Sequence, residues 1–345
     1  MRQFPSWIAL AIAAIATTWL VVRTSAVAQD PTVTARNIQQ TLDSTGFCQL
    51  GAGTYNISTP IRLKSGQRLA GVGFATKLVY TGLSPWAVVF GEREKPNYGC
   101  YLDDISISGG GLLCESFAQH CAIERVWVSK SRGDGVRIEG LGERLILRDV
   151  ISWENAADGF SLRTGDTING IVFDHCNAQN NGGYGFRLET LTANSELVGT
   201  IIRDATIQAN GKSGSVTAEV LIRGYVNVTR IENVWIENEP RFSPAVNTGI
   251  RTVAVAFPNA GGEAVVRRPN RVAIDGASVI SLLPRAMEII DCYDCSIEQL
   301  WVSPASAKVY WKSDKTGPDA GGLNKLRGEK WMLDGEQLVA DPSLR

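Results

Sequence analysis

The chain has 345 residues, 34 Lys and Arg against 35 Asp and Glu, a formal net charge of -1 and 44% hydrophobic residues. This balance excludes the basic footprint of a nucleic-acid binder or of a protein held on an anionic membrane surface. The length alone suggests roughly two domains, and the 7 cysteines leave disulfides and metal sites both open.

Residues 1–28 read as a secretory signal. Arg2 gives the positive start, Trp7 to Val22 is uncharged and apolar, and Ala26-Val27-Ala28 is a small-x-small cleavage site before Gln29. The competing reading is an uncleaved anchor, because the uncharged stretch from Gln3 to Val22 is almost long enough to span a bilayer. The expected location is secreted or periplasmic in the first case and anchored facing outside in the second, and nothing later in the chain is long and apolar enough to span. Ala35 to Leu42 carries a short helical pattern, read as a cap over the open end of whatever follows. Residues 81–100 are irregular, with Pro85, Trp86 and the charged run Glu92 to Lys95.

From Leu102 to Val302 a hexad, apolar-x-x-apolar-x-apolar, recurs eight times, starting at Leu102, Ile123, Leu147, Phe173, Ile202, Ile231, Ile274 and Ile297. The spacings are 21, 24, 26, 29, 29, 43 and 23. A period in this range means stacked units. Alternation at the fourth and sixth positions means a strand with one buried face, and no stretch sustains a helical stripe. A second short strand follows in Gly135–Glu139, Gly159–Arg163 and Gly185–Glu189. The fold expected is all-β: one single-stranded, right-handed parallel β-helix over residues 29–345, capped by a short N-terminal helix, with regular coils over about 46–312. Stacked coils share one core, so the repeat overrides the two-domain prior. The 43-residue coil holds a long insertion, about 237–270, read either as a wall of a groove or as a tolerated surface loop. Beyond Pro304 the pattern weakens into a tail over about 313–345, where Gly317–Gly322 is a loop and Lys330–Leu333 a last strand or cap.

All the cysteines lie beyond the signal, in a compartment that permits disulfides. Cys176, at an inward hexad position, is expected as a buried thiol. Cys100 and Cys121 each precede a hexad by two residues, so they are expected to stack within bridging distance. Cys292-x-x-Cys295 reads as a structural disulfide ahead of a redox pair or a metal half-site, and no second cysteine or histidine pair completes a zinc spacing.

Chemistry in such a fold is carried by columns of residues one coil apart. Eleven residues after the hexad starts stand Asp134, Asp158 and Tyr184. Two carboxylates about 5 Å apart repel, so that either one pKa rises, making a general acid, or a cation such as calcium binds between Asp134 and Asp158. The alternative is turn chemistry, each aspartate bonding its own backbone ahead of a glycine. Glu139, Arg163 and Glu189 form a second column, flanked by Arg137 and Arg187, and read either as a cross-strand charge ladder or as an arginine-lined carboxylate site. A third column runs Asp104, Arg125, Asp149, His175, Asp204, in which His175 is an acid/base candidate or one more rung of a ladder. Trp127, Trp235 and Trp301 share an outward position, suited to stacking on sugar rings or to packing under a loop. With Glu154, Tyr184 and Glu189, Trp127 and Trp235 complete the substrate-contact candidates. His120 has no evident constellation.

Residues 49–73 carry Gly51, Gly53, Thr54, Tyr55, Ile57, Leu63, Ser65, Gly66, Leu69, Gly71 and Gly73 in a pattern that resembles the N-terminal coils of the pectate lyase superfamily, the pectin-lyase-like β-helix proteins. The motif covers about residues 33–80, with a departure at Ala52 beside the usual proline position. The resemblance implies the fold strongly. It implies chemistry more loosely, because such folds host lyases, hydrolases, epimerases, phage tailspikes and non-catalytic proteins. In some members arginine is the base of a β-elimination, which would place Arg163 or Arg187 on a uronate carboxylate. The Asn-Thr-Asp, Gly-His-Gly and Arg-Ile-Lys signatures of polygalacturonase-like hydrolases and the Asp-Pro-His of alginate epimerases do not occur. The function expected is therefore a lyase acting on an acidic polysaccharide. A non-catalytic envelope protein binding a glycan or a protein partner is the alternative, and a glycoside hydrolase a further one.

Overall fold

A computed structural model describes residues 34–312, 325–327, 331–334 and 337–340, except 94, 118, 239–242, 244, 259–261, 281–282 and 304–307. The signal segment, the Gly317–Gly322 loop and parts of the long insertion lie outside the described residues. No helix among the described residues is long and apolar enough to cross a membrane.

Helix α1 (Ala35–Thr45) starts at Thr34, whose hydroxyl accepts the Asn37 N–H, and stops at Gly46, whose left-handed φ of 76° turns the chain out. It buries Ala35, Ile38 and Leu42, an i, i+3, i+7 stripe, against the first coil. The end of the solenoid is thus capped as its sequence suggests.

The strands form a right-handed parallel β-helix of about nine turns. One coil shows the plan. Gly142–Arg148 and Ile151–Trp153 belong to a first sheet, and Phe160–Thr164 to a second. Register is regular: Arg148 lies beside Glu124 and Asp174, and Leu162 beside Ile138 and Leu188. The three second strands predicted, at Val136–Ile138, Phe160–Thr164 and Phe186–Thr190, stand side by side in the second sheet. The fourth and sixth hexad positions, such as Val126 and Val128, are buried in the first seven copies, and in the last Leu300 and Val302 are partly buried. Phe160, Phe173 and Phe186 fill the middle of the core with ring centroids 4.7–5.5 Å apart.

The bends between strands follow a rule the hexad only half reveals. Left-handed residues recur every five positions: His120, Arg125, Lys130, then Arg144, Asp149, Glu154, then Gly170, His175, Asn180, then Gly199, Asp204, Ala209. The third hexad position is thus a bend, which is why it is so often Asp, Asn, His or Gly, the residues that tolerate positive φ. Val228 occupies one such bend, at φ 52° and 40% exposed. A β-branched side chain is strained there. Val228→Asn is expected to stabilise the chain by about 1 kcal/mol and to raise Tm by roughly 2 °C in a thermal melt; a fall in Tm would contradict the strain.

Inside the corner that leads into the second sheet, Asn155, Asn181 and Asn210 form a buried ladder. Asn155 donates its backbone N–H and Nδ2 to Asn181 Oδ1, and Asn181 does the same to Asn210 Oδ1. The glycines of Asp134-Gly135, Asp158-Gly159 and Tyr184-Gly185 make room for it. A Cβ on Gly135, Gly159 or Gly185 would meet Asn155, Asn181 or Asn210 Nδ2 respectively. One coil on, the register place of Gly185 is taken by Glu219, whose carboxylate ends the ladder by accepting from Asn210 N, Asn210 Nδ2 and Asn238 Nδ2. Burial pushes this carboxyl up to about 7 against those hydrogen bonds. Folded Glu219 therefore keeps its proton between its ordinary value of 4.5 and about 7, where the unfolded chain releases it. Glu219 is expected to contribute a fall of about 3 kcal/mol in stability as pH rises across that window, measured by urea unfolding at pH 5 and pH 8, and the fall should shrink by that share in Glu219→Gln.

Cys176 is a buried thiol, pushed up to about 12 by its burial, and Cys292–Cys295 is a disulfide. Cys100 and Cys121 do stack, one residue before the Tyr101–Ala122 register pair, and the Cys121 thiol hydrogen-bonds Cys100, which with burial raises the Cys100 pKa well above the usual thiol range. They meet as thiols rather than as a bridge. Within 237–270, Thr248–Val253 is a regular second-sheet strand, and the excursion itself is an antiparallel hairpin, Val255–Pro258 with Ala264–Arg267. Trp331–Asp334 is the late strand foreseen, paired antiparallel with Gln337–Ala340.

Candidate functional site

Seven of the eleven residues singled out from sequence converge on the outward face of the second sheet and the corner that feeds it. Register sets Arg137, Ser161, Arg187, Leu221 and Arg251 in one column and Arg163, Glu189 and Arg223 in the next. Glu189 lies at the centre, 3% exposed. It accepts from Arg163 Nε at 2.9 Å, Arg187 Nη2 at 2.7 Å and Arg223 Nη1 at 2.7 Å. Three guanidinium groups on one carboxylate leave cationic capacity facing outward.

Asp134 and Asp158 border this cluster, both 4% exposed. Neither bonds its own backbone, as a simple turn would have it. Asp134 Oδ1 accepts the Asp158 N–H at 3.0 Å, and Asp158 Oδ1 accepts the Tyr184 N–H at 2.9 Å, so each aspartate ties its coil to the next. Asp134 Oδ2 pairs with Arg137 Nε at 2.7 Å, and Asp158 Oδ2 faces Arg187 at 3.6 Å. With three of the four oxygens on N–H donors and the fourth toward a guanidinium, the pair does not fit calcium, which takes six to eight oxygen ligands. Burial, then the charge of Asp134, pushes Asp158 up to about 6, while Arg187 opposes the shift. Tyr184 packs on Val216, Val246 and Leu283, and its ring lies 5.5 Å from Arg187 Cζ. Burial raises its hydroxyl pKa.

The other four candidates lie elsewhere. His175 and Glu154 are left-handed bends of the first sheet, at φ 53° each, and their side chains are exposed. Backbone conformation accounts for both. His175 Nδ1 lies 3.0 Å from Asp174, and backbone register sets His175 between Asp149 and Asp204 on the neighbouring coils. Asp174, His175 and Asp204 bring one ligand atom each within 4.8 Å of one another. Asp174 is nonetheless occupied: Arg203 first, then Arg148 and His175, hold its carboxyl below the usual range. Trp127 and Trp235 stand on the outward face of the first sheet, away from the arginines.

Sequence reasoning missed Arg251, Glu288 and Ser161. Arg251 pairs with Glu288 at 2.9 Å and donates to Thr217 at 3.0 Å, extending the arginine column beyond Arg187. The 43-residue coil hid that alignment. Ser161 lies between Arg137 and Arg187, 1% exposed, and its Oγ has no hydrogen-bond partner among the described residues.

No family model matches the chain, and no curated protein matches it either. Solved structures do. DFA-IIIase from Arthrobacter chlorophenolicus A6 superposes with a TM-score of 0.50 at 9% identity, over 86% of this chain and 87% of its own. The A-module of a mannuronan C-5 epimerase from Azotobacter vinelandii gives 0.46 at 16% identity, over 88% and 97%. Endo-xylogalacturonan hydrolase from Aspergillus tubingensis gives 0.46 at 12% identity, over 87% and 97%. The chain shares the parallel β-helix fold. At such identities the likeness is one of fold alone, and what the coils do here rests on their own side chains.

Proposed function

We propose that the chain is an exported polysaccharide lyase that binds an acidic glycan along the outward face of the second sheet. The observation that supports this is the convergence of Arg163, Arg187 and Arg223 on Glu189, beside a carboxyl, Asp158, whose pKa lies close to neutrality. A uronate carboxylate enters where Arg223, with its side chain 43% exposed, meets solvent, and takes the guanidinium donors that Glu189 holds. Neutralised there, it acidifies the adjacent C–H bond. Asp158 takes that proton, the C–O bond β to the carboxylate breaks, and a C=C bond forms in conjugation with the carboxylate. Tyr184, kept protonated by burial, returns a proton to the departing oxygen.

A second reading, a non-catalytic surface protein, is favoured by one observation. The carboxylates Asp134, Asp158, Glu189 and Glu288 all engage guanidinium groups, as a structural lattice does. One experiment separates the two. The chain is mixed with pectic, alginate and neutral glycans while ultraviolet absorbance and reducing ends are followed. Absorbance rising with new ends supports elimination. New ends without absorbance mean hydrolysis and sink the lyase, and silence across the panel favours the non-catalytic reading.

A further inference from the structure

The first sheet carries, on its outward face, a stripe unlike its surroundings. One column runs from Trp127 through Asn177 and Thr206 to Trp235 and on to Trp301, and every residue in it is uncharged. The column two residues along runs Trp153, Gln179, Gln208, Glu237, with Gln179 Nε2 donating to Gln208 Oε1 at 2.7 Å. On one side of the stripe the outward residues are charged and paired in a ladder: Glu124, Arg148, Asp174 and Arg203. In a chain of which 20% is charged, two adjacent columns holding Glu237 as their one charge from Trp127 to Trp301 are a chemical boundary.

The aromatic residues of the stripe are of two kinds. Trp127 is held between Phe74 and Trp153, with centroids 5.4 and 5.8 Å away, and forms a fixed aromatic block at one end. Trp235 and Trp301 are open, 45% and 54% exposed. Trp235 is steadied by its Nε1 donating to Glu237 at 3.4 Å. At the strand spacing of about 4.8 Å per coil, Trp235 lies about 19 Å from Trp127 and Trp301 about 10 Å farther on. Between the rings stand Ile151, Asn177, Thr206 and Ser278, none of them charged.

We infer that this stripe is a second glycan-contact surface, which takes an uncharged polysaccharide lying along the solenoid axis. Exposed indoles offer flat apolar faces to the C–H face of a pyranose ring. The amides of Gln179 and Gln208 and the hydroxyl of Thr206 offer both donors and acceptors, which suits ring hydroxyls and satisfies no net charge. An acidic chain gains nothing from such a surface and finds its cations on the other sheet. The two faces thus divide the chemistry of a glycan between them, and this inference stands whether or not the charged face is catalytic.

The test is native-gel affinity electrophoresis with dextran, galactomannan or hydroxyethylcellulose cast in the gel, and polygalacturonate as the acidic control. The intact chain is expected to be retarded by at least one of the neutral polymers. Trp235→Ala and Trp301→Ala should each weaken that retention by about tenfold, the order of one lost aromatic stacking contact, without moving Tm. Retention of polygalacturonate should be unchanged in both. No retardation by any of the three neutral polymers overturns the proposal, as does retardation that both variants keep. Sedimentation of the same proteins guards against a different occupant: a dimer that Trp235→Ala dissociates would make the stripe a contact between copies of this chain and would also overturn it.

Discussion

Asp158→Asn is expected to remove turnover of an acidic glycan by at least a hundredfold while leaving the chain folded. The fold should survive because the amide keeps what Asp158 does structurally: its oxygen still accepts the Tyr184 N–H, found at 2.9 Å. It also takes one charge out of a buried place where Asp134 repels it. Above pH 6 the variant is therefore expected to melt no lower than the parent. What it lacks is a group that exchanges a proton near neutrality. The pH profile fixes the role. If Asp158 is the base, it must be ionised, and kcat/KM rises with pH through about 6 and then levels; an acid would give the opposite slope. Activity within threefold of the parent would remove Asp158 from the chemistry.

How far the sequence reveals this molecule depends on which interactions are periodic. The hexad gave the solenoid because inward residues such as Val126 and Val128 recur where strands must bury them. The same periodicity gathered Asp134, Asp158, Arg163, Tyr184, Arg187 and Glu189, since side chains one coil apart become neighbours. At His175 and Glu154 it does not reveal that both are left-handed bends of the backbone. The clue was available, because Glu154 stands five residues after Asp149 and Asn180 five after His175, but five-residue spacing of bends matches neither a helix nor a strand. Arg251 and Glu288 were beyond reach for another reason. Glu288 falls opposite Arg251 only once the hairpin Val255–Pro258 and Ala264–Arg267 is taken out of the coil count, and Arg251 itself follows the long link from Trp235–Glu237 to Thr248–Val253. What bears on the calcium expectation is a detail no sequence shows: the aspartate oxygens of each coil meet N–H groups of the next and arginines.

The asparagine ladder is where a single atom-level change should cost the fold most. Asn155, Asn181 and Asn210 each stand eight residues after the hexad starts Leu147, Phe173 and Ile202, and this column decides whether consecutive corners can stack. Asn181 is the fully committed rung, with 0% of its surface exposed. Its Oδ1 accepts from Asn155 N at 3.0 Å and Asn155 Nδ2 at 2.9 Å, and its Nδ2 donates to Ser152 O at 3.0 Å and Asn210 Oδ1 at 2.8 Å. Asn181→Ala removes all four bonds and strands their partners away from water. At about 1–3 kcal/mol for each unsatisfied buried group, reduced by local relaxation, the loss is expected to be about 4–5 kcal/mol, read from the urea midpoint. The outward pair Gln179 and Gln208 supplies the contrast. It repeats the amide-to-amide geometry at 2.7 Å, but with water at hand to replace it, so Gln179→Ala should stay within about 0.5 kcal/mol of the parent. Equal losses in the two variants would mean that burial is not what makes the ladder matter. A loss under 1 kcal/mol in Asn181→Ala would mean that the stacked strands hold the corner without it.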